Sequence, residues 1–184
     1  LVGWKSKIVS QLTKGLAALA KQRNVQVVHG VGAFTSPITL RVSADAGAVD
    51  IDFKQAIVAA GSEPVVLPGF PHDDARLIDS TGALELSDIP QRLLVVGGGI
   101  IGLEMATVYM ELGSEVTVVE LLDGLMVGAD RDLVKPLERR MNKKLNAVYT
   151  STQVTKIDAQ AEALLVHFDG ANAPATGLYD KVLV

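Results

Sequence analysis

A glycine pattern between an apolar run and a helical pattern is the part of this chain best suited to chemistry. Gly97, Gly99 and Gly102 have the spacing Gly-x-Gly-x-x-Gly and follow the apolar residues 93–96. In this setting the first glycine permits a tight turn, the second lets a pyrophosphate approach the backbone, and the third lets the helix pack closely on the sheet. Free N–H groups at the start of that helix attract phosphate charge. The predicted dinucleotide-binding turn consists of Gly97, Gly98, Gly99, Ile100, Ile101 and Gly102.

An acidic residue stands at the end of the next predicted strand. Glu120 ends the run 116–120, where a carboxylate can accept hydrogen bonds from both hydroxyls of a ribose. The same negative charge repels a 2′-phosphate, and no arginine lies between Glu120 and Ala129 to offset it. These residues predict NAD rather than NADP as the ligand.

The other chemistry-bearing residues predict neither a catalytic group nor a metal site. The chain contains no cysteine, which excludes a disulfide, a thiolate zinc site, an iron–sulfur cluster and a cysteine nucleophile within it. Its three histidines, His29, His72 and His167, lack the spacing of a metal-binding pair. Glu104 falls in the predicted helix after the glycines, a position typical of a solvated residue.

Strands and helices alternate around these candidate residues from residue 92 onward. The predicted strands and helices of this stretch are, in order, 93–96, 100–112, 116–120, 130–144 and 148–150. That order indicates a parallel sheet with right-handed crossovers. Residues 153–157 and 163–168 then predict a β-meander, and a final apolar run covers 179–184.

The first part of the chain has a related but incomplete pattern. The predicted elements are a helix at 4–22, a strand at 25–28, a meander of 39–42 and 49–53, and a strand buried on both faces at 56–60. A proline-rich connector follows, with a short helix at 80–86 capped by Ser80 or Thr81. A meander followed by an apolar strand thus occurs twice, which suggests two related nucleotide-binding folds.

Composition narrows the class of protein. Apolar residues make up 48% and charged residues 21% of the 184 residues, which is typical of a globular chain. The net charge is −4 without a basic cluster, so no nucleic-acid partner is expected. Apolar runs such as 93–96 are too short to span a bilayer, and the first residues do not resemble a signal peptide. We therefore expect a cytoplasmic protein without a membrane partner.

Several of these segments together resemble a known family. Residues 3–5, 13–21, 56–64, 79–84 and 94–104 are similar to the dihydrolipoamide dehydrogenases, which are flavin-dependent pyridine nucleotide–disulfide oxidoreductases. The resemblance implies an α/β chain with two parts. Residues 1–66 would be the C-terminal part of an FAD-binding domain, and 67–184 a Rossmann-like NAD-binding domain with a parallel sheet and a β-meander that lacks its end.

The resemblance also implies ligand contacts. Gly97 to Ile101, Glu120 and Val154 match positions that contact NAD, and Glu104 matches a glutamate beside the nicotinamide. The matching backbone contacts to FAD are Gly32, Ala60, Gly61 and Ser62.

The family's reaction is the oxidation of dihydrolipoamide, with electrons passing through a disulfide and FAD to NAD. The parent enzyme is expected to be a homodimer within a 2-oxo acid dehydrogenase complex. Because the redox cysteine pair and the acid–base histidine of that family have no match here, we expect an internal fragment that is inactive by itself. Two alternatives remain: an NADPH-dependent reductase of the glutathione or mercuric type, and a non-catalytic NAD-binding module.

Overall fold

The computed structural model describes residues 1–184, which divide into two compact units. The N-terminal unit is Leu1–Ser62 and the C-terminal unit is Glu63–Val184. The division falls a few residues before the boundary of 66/67 expected from the sequence.

The N-terminal unit begins with a helix, α1, at Val2–Gln22. The helix predicted at 4–22 is therefore confirmed, and it ends where Asn24 adopts a left-handed φ of 54° and Val25 N–H donates to Ala20 O at 2.9 Å. No side chain of α1 is buried, and its apolar stripe, which includes Leu12 and Leu16, is exposed.

A three-stranded antiparallel meander completes the N-terminal unit. Its strands are β1 (Val31–Ser36), β2 (Thr39–Ala44) and β3 (Gly47–Asp52), in the order β1-β2-β3. The second and third strands were predicted, whereas β1 was not. Arg41 on β2 makes a two-pronged ion pair with Asp50 on β3, with both N–O distances 2.7 Å.

Two strands predicted in this unit do not form. Residues 25–28 and 56–60 adopt no regular structure, and Ile57 is 95% exposed. Both segments are largely apolar, but a strand also needs a neighbour to receive its backbone hydrogen bonds. Within this unit, β1, β2 and β3 pair only with one another, so the prediction of a buried strand at 56–60 was wrong.

The C-terminal unit is built on a five-stranded parallel sheet with the order β4-β11-β5-β6-β7. Its strands are β4 (Leu77–Ile78), β5 (Arg92–Val96), β6 (Glu115–Val119), β7 (Ala147–Tyr149) and β11 (Lys181–Leu183). The helices are α2 (Ser80–Glu85), α3 (Ile100–Glu111) and α4 (Arg131–Lys144). The predicted alternation of strands and helices is confirmed. The residue that caps α2 is Asp79, which accepts a hydrogen bond from Gly82 N–H at 2.8 Å, rather than Ser80 or Thr81.

A second antiparallel sheet covers one face of the parallel sheet. It contains β8 (Gln153–Ala159), β9 (Leu164–Asp169) and β10 (Thr176–Tyr179), in the order β10-β9-β8. The predicted meander is confirmed and gains β10, because Asp180 divides the final apolar run between β10 and β11. The Arg92 guanidinium donates to Asp180 at 2.6 Å and lowers the pKa of that carboxyl group.

The core lies on both faces of the parallel sheet. Leu93 and Val95 point into a cluster with α2, α3 and α4, while Leu94 points into a cluster with the second antiparallel sheet. This alternation follows from the two-residue repeat of a strand, and it explains why β5 is apolar throughout. No helix of the chain is both long enough and apolar enough to cross a membrane.

Candidate dinucleotide-binding site

The predicted glycine turn joins β5 to α3 at the carboxyl edge of the parallel sheet. From β5 the chain proceeds to β6 and β7 on one side, whereas β11 and β4 lie on the other side. The turn therefore lies where the strand order reverses. In open α/β sheets, this switch point opens a crevice that receives ligands.

Two glycines of the turn are required by its backbone and its packing. Gly97 has a φ of +112°, which side chains rarely permit, and its N–H donates to Val119 O at 2.8 Å. A Cβ on Gly102 would lie 2.2 Å from Gly97 O and 3.2 Å from Val95 Cγ1. The third glycine therefore allows α3 to lie directly against the turn.

Gly99 faces open space. It is the residue before the first turn of α3, and an added Cβ would meet nothing within 4 Å. The first turn of α3 carries no acidic residue and no side-chain cap. Its N–H groups are therefore free to bind an anion, and Ile100 and Ile101, which are 64% and 57% exposed, flank this position.

Glu120 follows β6 and turns its carboxylate back onto the glycine turn. Gly98 N–H donates to Oε2 at 2.7 Å and Leu122 N–H donates to Oε1 at 2.8 Å. A carboxylate has about four lone-pair positions, so each oxygen can accept a further hydrogen bond. The backbone thus holds Glu120 in one orientation at the edge of the crevice.

Two cavities meet at the turn. The β6-side cavity, of about 400 Å³, is lined by Glu120, Thr152 and Val154 among others. The β11-side cavity, of about 620 Å³, is lined by Gly99, Ile100, Ile101, Leu183 and Val184 among others. Val96 and Gly97 line both cavities, so the turn lies between them. This arrangement fits an elongated ligand whose anionic middle rests on the turn.

The structure brings most of the predicted NAD contacts together but not all of them. Val154 lies in the β6-side cavity with Glu120, as a shared contact surface requires. Glu104 lines neither cavity: it is exposed on α3 and borders an apolar groove with Leu137 and Met141 of α4.

Sequence reasoning missed other lining residues, including Thr152 and Leu183. Leu183 is on β11, which pairs with β5, and Thr152 N–H donates to Glu120 O at 3.0 Å, so both positions depend on pairing between distant segments rather than on a local pattern.

The predicted FAD contacts lie in the N-terminal unit. Gly32 is in the middle of β1, where an added Cβ would make ordinary contact with Leu40 Cδ1 at 3.5 Å. Ala60, Gly61 and Ser62 form an exposed segment without regular structure. Gly61 has a φ of +77°, which makes glycine the favoured residue there.

Comparisons with known proteins agree with this geometry. Residues 3–182 match the family described as pyridine nucleotide-disulphide oxidoreductase. The dihydrolipoyl dehydrogenases of Vibrio cholerae and Vibrio parahaemolyticus are 50% and 48% identical to this chain over 182 residues, or 98% of its length. A copper complex of the HOCl-induced flavoprotein disulfide reductase of Escherichia coli has a TM-score of 0.85 at 27% identity.

The match covers only part of those proteins. The chain spans 38% of the length of the two Vibrio dehydrogenases, and it covers 41% of the E. coli chain while matching over 99% of its own length. The family implies FAD and a pyridine nucleotide as cofactors. With its glycine turn, its switch-point crevice and this match across nearly its whole length, the chain belongs to the pyridine nucleotide–disulphide oxidoreductase family.

Proposed function

We propose that the C-terminal unit binds NAD along the carboxyl edge of its parallel sheet, as part of a dihydrolipoamide dehydrogenase. The observation that carries this proposal is the position of the Glu120 carboxylate, which two backbone N–H groups hold beside the glycine turn. The neighbouring cavities provide space on both sides of the turn. The 50% identical relative from Vibrio cholerae, named as a dihydrolipoyl dehydrogenase, supports the choice of enzyme.

The adenosine half of NAD belongs in the β6-side cavity. There Glu120 would accept hydrogen bonds from the ribose hydroxyls, and Val154 would supply apolar contact. A 2′-phosphate would place negative charge against this carboxylate, which disfavours NADP.

The pyrophosphate belongs at Gly99. The missing side chain leaves the backbone accessible, and the N–H groups of the first turn of α3 are directed at the same space. Gly98 and Gly102 offer no such space, because a Cβ on either residue would be blocked by the chain itself.

The nicotinamide half belongs in the β11-side cavity, against Ile100, Ile101 and Leu183. When bound, NAD supplies the hydride acceptor of the reaction. The residues of this chain hold and orient the nucleotide and keep water from its apolar parts. Glu104, which lines neither cavity, remains a proposed neighbour of the nicotinamide only through the family resemblance.

The N-terminal unit would contribute to FAD binding through Gly32 and the segment Ala60, Gly61 and Ser62. The left-handed backbone of Gly61 fits a backbone contact with a ligand. In the complete enzyme, electrons would pass from dihydrolipoamide through a disulfide and FAD to NAD. Because this chain contains no cysteine, its own share is nucleotide binding. A homodimer within a cytoplasmic 2-oxo acid dehydrogenase complex is part of the same proposal.

Calorimetric titration of the chain with NAD and with NADP tests the proposal. We expect saturable binding of NAD and clearly weaker binding of NADP. Glu120→Ala should weaken NAD binding by roughly 1–2 kcal/mol, the scale of a lost charge-assisted hydrogen bond. It should also reduce the difference in affinity between NAD and NADP. Glu115→Ala, which removes an exposed acid from the start of the same strand, is the matched control and should change neither affinity. Equal or tighter binding of NADP, or an unchanged NAD affinity in Glu120→Ala, would contradict the proposal.

A further inference from the structure

The loop between β6 and α4 is attached to the glycine turn. Met126 N–H donates to Gly98 O at 2.9 Å. The Leu125 side chain is buried against Gly98, where an added Cβ would lie 2.4 Å from Leu125 Cδ2. We call Leu125 and Met126 the clasp, because both contact Gly98 of the turn.

One arginine holds the clasp in place. Arg131 Nη2, at the start of α4, donates to Leu125 O at 2.6 Å and to Met126 O at 3.3 Å. Gly124 lies so close that an added Cβ would be 2.5 Å from Arg131 Nη1. Met126 has a φ of +52°, a conformation that costs free energy for a residue with a side chain and therefore needs such support.

The bond at Gly98 O decides where the next N–H points. In a planar trans peptide, the carbonyl of one residue and the N–H of the following residue point in opposite directions. Because Gly98 O faces the clasp, Gly99 N–H faces away from it, towards the open side of the turn. Gly98 N–H, in contrast, is occupied by Glu120. The clasp therefore orients Gly99 N–H, while Glu120 fixes the preceding peptide.

We propose that Arg131 is a positioning residue for dinucleotide binding: by holding the clasp, it keeps Gly99 N–H directed at the pyrophosphate. This inference rests on the proposed NAD site. Arg131 lines neither cavity, and its guanidinium is engaged by the loop carbonyls and by Glu138 Oε1 at 3.7 Å. The effect should therefore be confined to ligands that carry a pyrophosphate.

The test compares NAD with adenosine, which lacks any phosphate. Arg131→Met removes the donors and keeps an unbranched side chain, and it should raise the Kd for NAD about tenfold while the Kd for adenosine stays unchanged. Arg131→Lys retains a donor for the loop carbonyls and should recover part of the NAD affinity. Arg139→Met replaces an exposed arginine of α4 and serves as the matched control, with both dissociation constants as in the unchanged chain.

Hydrogen exchange provides a readout that needs no ligand. The Met126 amide should exchange faster in Arg131→Met than in the unchanged chain, and Arg139→Met should leave it slow. An unchanged NAD affinity in Arg131→Met, an equal loss of adenosine binding, or unchanged exchange at Met126 would overturn the role of Arg131. If the unchanged chain binds no NAD at all, the proposed function fails and the binding role of Arg131 fails with it, while the exchange data alone still show whether Arg131 holds the loop.

Discussion

Two apolar runs, one in each unit, differ in structure and in burial. Residues 93–96 form β5, in which Leu93, Leu94 and Val95 have no exposed surface. Residues 56–60 have a similar apolar character but form no strand, and Val58 is 72% exposed. β5 lies between β11 and β6 and has a core on each face, whereas 56–60 has neither neighbour within its unit.

Helices α1 and α3 repeat this contrast. α3 buries Leu103, Met105, Ala106 and Tyr109, whereas α1 buries no side chain. A glycine in α3, Gly102, lies against backbone, while Gly15 in α1 faces open space. Elements of the C-terminal unit thus bury side chains in a core, whereas α1 and residues 56–60 of the N-terminal unit bury none. Substitutions at matched positions can test that difference.

Replacement of the helix glycines should give the largest contrast. Gly102→Ala places a Cβ 2.2 Å from Gly97 O, so the turn or α3 must shift. We expect a loss of about 3 kcal/mol in the free energy of unfolding of the C-terminal unit, together with loss of NAD binding. Gly15→Ala meets no neighbour and should raise the helix content of α1, since alanine favours a helix by about 1 kcal/mol over glycine.

Urea unfolding can separate the two units spectroscopically. The single tryptophan, Trp4, reports on the N-terminal unit, and the three tyrosines, Tyr109, Tyr149 and Tyr179, report on the C-terminal unit. Equal stability losses in Gly102→Ala and Gly15→Ala would refute the contrast between the helices.

Truncation of the apolar runs should give the next largest effect. Leu94→Ala removes a fully buried side chain from β5 and should destabilise the C-terminal unit by about 3 kcal/mol. Val58→Ala removes an exposed side chain and should change stability by less than about 0.5 kcal/mol. Thermal unfolding followed by near-ultraviolet circular dichroism measures both. A large loss in Val58→Ala would show that residues 56–60 pack against protein after all.

A smaller effect is expected at the helix caps of the C-terminal unit. Asp79 accepts a hydrogen bond at the start of α2, so Asp79→Ala should cost about 1 kcal/mol. Asp130 has the equivalent position before α4 but makes no side-chain cap bond. Asp130→Ala should therefore cost clearly less in the same urea titration, and equal losses would mean that cap geometry does not decide the outcome.

The smallest effect concerns acid stability. Hydrogen bonds from Arg76 lower the pKa of Asp74 from the ordinary 3.8 to about 2. Since the folded-state pKa is depressed, this pair stabilises the fold above about pH 4, and the contribution is lost as the pH falls towards 2.

Stability measured as a function of pH can isolate this contribution. Asp74→Asn should weaken the acid dependence of the C-terminal unit in this window. Asp50→Asn disrupts the more exposed pair with Arg41 in the N-terminal unit and should have a smaller effect. An acid dependence unchanged by Asp74→Asn would contradict the assignment.

The sequence predicts best where local pattern and tertiary surroundings agree. The strand at 93–96, the glycine turn and the helix after it were all foreseen, because the turn's function imposes its own spacing on the chain. Prediction failed at 25–28 and 56–60, because no strand lies beside either apolar segment to pair with it. β10 (Thr176–Tyr179) was missed because its four residues show no clear alternation and the strand is defined by its pairing with β9.

The residues of the candidate site also fall into a predictable and an unpredictable group. Gly97, Gly99, Gly102 and Glu120 could be predicted, since each has a role that follows from residue type and spacing. The lining residue Leu183 and the support from Arg131 could not, because both depend on which distant segments lie beside β5 and the turn. Gly98 is an intermediate case. Its place in the glycine pattern was evident from the sequence, but only the structure shows that Leu125 leaves no room for a side chain there.

An NMR titration of isotopically labelled chain with NAD tests the central claim most directly. If NAD binds along the carboxyl edge of the parallel sheet, the backbone amides of Gly97, Gly99, Glu120 and Val154 should shift saturably. Amides of the N-terminal meander, β1 to β3, should keep their positions. Shifts concentrated in the N-terminal unit, or no shifts at all at saturating NAD, would contradict the account.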